Sequence, residues 1–100
     1  MHLMTHTSFL MESYNALADY LAHLPADTDD IRLTFEQVEG ILGRPLPVGA
    51  WHYRTWWAFP GGARVPAQVQ AWRAAGWRVY LVDQHAGWVW FKRKHAETER

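Results

Sequence analysis

The chain has 100 residues, enough for one domain, with zero formal net charge and no cysteine. That excludes disulfides and thiolate metal sites, and no apolar run reaches the roughly 20 residues of a transmembrane helix. The charge is unevenly spread. Up to Gly43 the single base Arg32 faces seven acids, whereas Arg44 to Lys94 holds eight bases and one acid, Asp83. Such asymmetry points to an anionic partner for the C-terminal half, or to two halves that pack together and neutralise each other.

Residues 1–8 read as a tail without the basic and apolar regions of a signal peptide, consistent with a cytoplasmic protein. From Phe9 to Leu24, apolar residues at Leu10, Tyr14, Leu17, Leu21 and Leu24 recur at steps of three and four. This is the period of an amphipathic helix, which Pro25 should end. Ile31–Leu33 alternates like a short strand. Thr34 and Gln37 have the spacing of a capping box, flanked by the staple pair Leu33 and Val38. A helix is predicted from Phe35 to Leu42, burying Phe35, Val38, Ile41 and Leu42 and closed by Gly43. A third helix is expected over Ala50–Trp57 with Gly49 as its cap. A fourth has Pro66 in its first turn and Gly76 at its end.

That fourth helix should turn Val69, Trp72 and Ala75 inward and Gln68, Gln70 and Arg73 outward. Trp77–Asp83 and Trp88–Arg93 read as a hairpin around the loop Gln84–Gly87, paired with Ile31–Leu33 in a three-stranded sheet. Simple alternation would place Trp77, Val79 and Leu81 on one face of the first hairpin strand and Arg78, Tyr80 and Val82 on the other. Residues 95–100 form a polar tail, leaving one domain over residues 9–94. The class is α+β and winged-helix-like: N-terminal helix, short strand, helix pair, further helix and C-terminal β-hairpin. Another α+β arrangement, with helices on one face of a hairpin, fits the same order of elements.

Several segments resemble a family of small bacterial and phage proteins of unknown function. They are Tyr14–Leu17 with Tyr20 and Leu21, Leu33–Gly43 followed by Leu46 and Pro47, and Tyr53–Ala58. Further matches are Gln68, Ala71 and Trp72, Ala75–Val79, Val82 and Asp83, and Val89–Arg93. The resemblance covers about Tyr14 to Arg93. This chain departs from the family pattern twice: Phe59 replaces an Asn and Pro66 replaces a His. The resemblance implies the fold and the domain limits but brings no activity.

Seven tryptophans are the compositional outlier. Trp56, Trp72 and Trp77 are expected in the core, whereas Trp88 and Trp90, on one side of the last strand, are expected exposed. There they could stack on bases or pack against a partner. No serine, carboxylate pair or histidine spacing forms a catalytic or metal motif, so no enzyme activity, metal or cofactor is expected. Double-stranded DNA is the expected partner. Its interface would comprise Arg54, Arg64, Gln68, Gln70, Arg73, Arg78, Lys92, Arg93 and Lys94, with the helix of residues 66–75 reading bases and the hairpin touching phosphates. The acidic N-terminal helix would then lie on the side away from the duplex. The alternative is a non-enzymatic protein-interaction or dimerisation module, possible as a homodimer.

Overall fold

The computed structural model describes residues 14–62 and 64–94. Both tails and the Phe9–Ser13 start of the expected first helix lie outside the described residues. In chain order the elements are α1 (Asn15–Ala22), β1 (Asp30–Thr34), α2 (Phe35–Leu42), α3 (Val48–His52), α4 (Arg54–Trp57), α5 (Ala67–Ala74), β2 (Trp77–Asp83) and β3 (Trp88–Arg93). This is the expected α+β layout, with helices on one side and an antiparallel sheet of order β1-β3-β2.

The local signals that rest on backbone hydrogen-bonding act as expected. Thr34 N–H donates to Gln37 Oε1 at 2.8 Å and Gln37 N–H to Thr34 Oγ1 at 3.0 Å, completing the capping box. Gly43 closes α2 in the left-handed region at φ 78°, where a side chain would be strained. Leu33 and Val38 are both buried, as a staple requires, while Ile41 and Leu42 are half-buried. Helix α1 ends at Ala22, three residues before Pro25, and buries Leu17 and Leu21.

Three expectations give way to tertiary packing. The single helix Ala50–Trp57 is two helices, broken where Tyr53 is extended (φ −115°, ψ 113°). A continuous helix would direct the Arg54 N–H to the Ala50 carbonyl. The break releases that carbonyl, which instead accepts from Trp57 Nε1 and Gln84 Nε2, each at 2.8 Å. The buried indole N–H of Trp57 thereby finds its partner. Pro47, not Gly49, occupies the cap position of α3. In β2 a bulge at Tyr80 shifts the register between Val79 and Leu81, so the two faces exchange. Val82 is buried and Leu81 is 41% exposed, the reverse of simple alternation.

The core is built on a column of rings. Phe35 stacks on Trp57 (centroids 5.0 Å, 14°) and Trp57 on Trp72 (5.9 Å, 10°). Phe91 meets Trp72 edge-on. Trp57, rather than the expected Trp56, is the buried member of the adjacent pair. Trp56 is half-buried and packs edge-on against Tyr14, Trp57 and Trp72. Trp77 is fully buried, and its Nε1 has no hydrogen-bond partner. Such an orphaned donor costs about 1–3 kcal/mol.

Candidate nucleic-acid interface

Helix α5 carries no charge except Arg73 and follows a loop bearing Arg64. Val69 and Trp72 anchor it in the core. Gln70 and Arg73 lie on its exposed side, as expected, with the Gln70 amide folded back to donate to the Val65 carbonyl at 2.8 Å. Gln68 does not join them. It is buried, and its Nε2 donates to the Trp56 carbonyl at 3.0 Å, because position 68 turns toward α4. The expected outer face is therefore Gln70 and Arg73 without Gln68.

A groove of about 230 Å³ opens where α5 meets edge strand β2. Trp57, Phe59, Val69 and Trp72 line it, and Arg73 and Arg78 supply its charge. The Arg73 guanidinium sits 5.9 Å from the Phe59 ring centroid. Phe59 thus contributes an apolar wall to this groove.

The hairpin bases divide. Arg93 belongs to the fold: its Nε donates to the Thr28 carbonyl at 3.0 Å and its Nη2 to the Pro25 carbonyl at 2.9 Å. Its guanidinium also lies 4.6 Å from the Trp77 ring centroid. An inward register position beside Trp77 gives it these partners, so its charge ties the acidic loop to the sheet. Lys92 occupies the outer face and Lys94 is exposed just beyond the strand. Arg54 and Arg64 are exposed on the helical side.

On the outer face, β3 presents Trp88, Trp90 and Lys92, with Arg32 opposite Trp90 on β1 and Arg78 opposite Lys92 on β2. The Arg32 guanidinium covers both indoles, 4.3 Å from the Trp88 centroid and 5.1 Å from that of Trp90. The Lys92 ammonium sits 4.0 Å from the Tyr80 centroid, and Tyr80 meets Trp90 edge-on at 5.2 Å. The two tryptophans, expected exposed, are half-buried under these cations. Arg32 and Tyr80 were not among the expected site residues. Period-two spacing marks Trp88, Trp90 and Lys92 as one face and groups Arg78 with Tyr80, but Arg32 and Tyr80 join the tryptophans only through pairing across the sheet, and Leu81 only through the bulge.

Several acids are engaged by N–H groups. Asp30 Oδ2 accepts from Trp90 Nε1 at 3.0 Å, Glu39 Oε2 from the Leu46 N–H at 2.8 Å and Asp83 Oδ1 from the Ala86 N–H at 2.9 Å. Helix α1 packs against α2 and α5, and its described part holds one acid, Asp19. Among the described residues no cluster of three His, Asp or Glu side chains could hold a metal, and no helix is long and apolar enough to cross a membrane.

Residues 14–94 match the family described as Domain of unknown function (DUF7662). The chain belongs to the DUF7662 family. The match begins at the start of α1 and ends one residue past β3, so the DUF7662 unit and the described fold coincide. No curated protein and no solved structure matches this DUF7662 chain.

Proposed function

We propose that this domain is a small winged-helix-like DNA-binding protein of bacterial or phage origin, acting in the cytoplasm, that sets α5 against duplex DNA. The observation that carries this reading is the exposed, acid-free side of α5. There Gln70 and Arg73 project from a helix anchored by Gln68, Val69 and Trp72, and Arg78 continues the positive charge onto the neighbouring strand. Arg on guanine and Gln on adenine are the usual edge contacts in a major groove. Arg54, Arg64 and Lys94 would flank the helix as phosphate contacts, with Lys92 on the central strand beside Arg78.

Duplex binding measured by fluorescence anisotropy tests this reading. Lys92→Ala with Lys94→Ala should weaken binding to all sequences alike and flatten the salt slope by up to about two phosphate units. Arg73→Ala should instead change the preference between sequences, by about 1–3 kcal/mol if it makes a bidentate base contact. Absence of a complex at about 50 mM salt, where phosphate contacts are strong, would overturn the proposal. A protein-interaction role would then be favoured by a different patch. Val48, Trp51 and Tyr53 are 69%, 39% and 65% exposed around α3 and present an apolar surface to a partner or a second copy.

A further inference from the structure

We infer that the outer face of the sheet is a second binding surface, for single-stranded DNA, with unpaired bases stacked on Trp88, Trp90 and Tyr80 and phosphates held by Arg32, Lys92 and Arg78. The inference does not depend on the role of α5. Its residues are different ones apart from Lys92 and Arg78, and Arg78 sits on the edge strand where the two surfaces meet.

The inner face of β3 is filled: Val89 and Phe91 are fully buried against the core. Its outer face holds two partly exposed indoles on the central strand, with Tyr80 and Leu81 49% and 41% exposed beside them. Trp88, Trp90, Tyr80 and Leu81 gathered beside cations on one partly exposed face form the kind of polar-rimmed apolar patch that marks a binding surface. Rings interleaved with cations are the composition that single strands require, since every base has a π-face and every nucleotide a phosphate.

The spacing selects an unpaired strand over a duplex. Trp88 and Trp90 are two residues apart on one strand, about 6.8 Å along its axis. Stacked bases in a duplex rise about 3.4 Å, and their faces are covered by neighbouring pairs. The two indoles therefore suit bases splayed from an extended strand. The Arg32 guanidinium, planar and lying over both rings, occupies space of the shape a base would fill. A base that displaces it leaves the cation beside the backbone, where it can pair with a phosphate. Asp30 and Asp83 at the margins of this face are fixed by neutral donors, Trp90 Nε1 and the Ala86 N–H, and against these two acids the face carries the three cations Arg32, Lys92 and Arg78.

The test uses the full chain and a labelled oligo-dT of about 12 nucleotides, within the span that one small domain covers. Binding should quench tryptophan fluorescence and weaken with salt. Trp88→Ala and Tyr80→Ala should each weaken it about ten-fold or more, the usual effect of losing one stacked base. Tyr80 is half exposed, so its variant keeps the fold, and unchanged thermal melting of each variant confirms that the loss is local. Arg73→Ala should leave oligo-dT affinity unchanged while altering duplex binding, which separates the two surfaces. No oligo-dT binding at about 50 mM salt, or equal binding by wild type and both variants, overturns the inference. So does oligo-U bound ten-fold more tightly than oligo-dT, which would make the ligand RNA. Self-association abolished by Tyr80→Ala would instead identify a second copy as the occupant.

Discussion

At position 34 one hydroxyl and one backbone amide close a reciprocal pair with Gln37, satisfying two N–H groups that would otherwise lack partners at the helix start. Thr34→Ala should cost about 1 kcal/mol, read as a lowered midpoint of chemical denaturation. An unchanged midpoint would show that the cap contributes nothing. Trp72 makes a stronger case. It is 1% exposed and touches the rings of Trp56, Trp57 and Phe91. Trp72→Ala should cost about 3–5 kcal/mol, a large part of the stability of a small domain. A calorimetric melt near that of the wild type would contradict the ring's place in the core. Individual residues were legible where their role is local. The roles of Gln68 and Arg93 were not, because sequence spacing places a side chain on a face without saying what backbone carbonyl it will meet. Gln68 finds the Trp56 carbonyl, and Arg93 finds the carbonyls of a loop more than sixty residues earlier.

Among the elements, α2 is the one whose limits follow from its sequence, since its cap, staple and terminal glycine all lie within the segment. Helices α3 and α4 show the opposite case. Their residues are mostly aromatic or β-branched, with weak helical preference, so tertiary hydrogen bonds decide where the backbone breaks. The Ala50 carbonyl is the deciding group, joining α4 through Trp57 and the hairpin loop through Gln84. Gln84→Ala removes one of its two donors and should cost about 1 kcal/mol, the typical net value of one hydrogen bond. Amide hydrogen exchange should also quicken in the hairpin loop. Unaltered exchange there would mean that the loop is held by other contacts. The bulge at Tyr80 is likewise invisible in the sequence, since WRVYLVD reads as a regular strand and only the pairing with β3 reveals the extra residue. The outer face could be anticipated at Trp88 and Trp90, and for this reason not at Leu81.

For the whole molecule, the strand order carries a consequence for how the protein is made. β1 and β2 never pair with each other, because β3 lies between them and bonds to both. β3 is also the last element among the described residues. A nascent chain leaving the ribosome thus carries two strands with nothing to join them, along with a helical cluster whose Trp72 still lacks Phe91. The sheet can close only after synthesis reaches residue 93, which also supplies the Arg93 clamp on the loop at Pro25. A chain ending at Gly87 should show no cooperative thermal transition, and adding a peptide of residues 88–94 in trans should restore one. A cooperative melt of the truncated chain alone would mean that the helices form an independent unit. Until its final strand emerges, the protein is exposed to proteases and to pairing with other chains at two open edges.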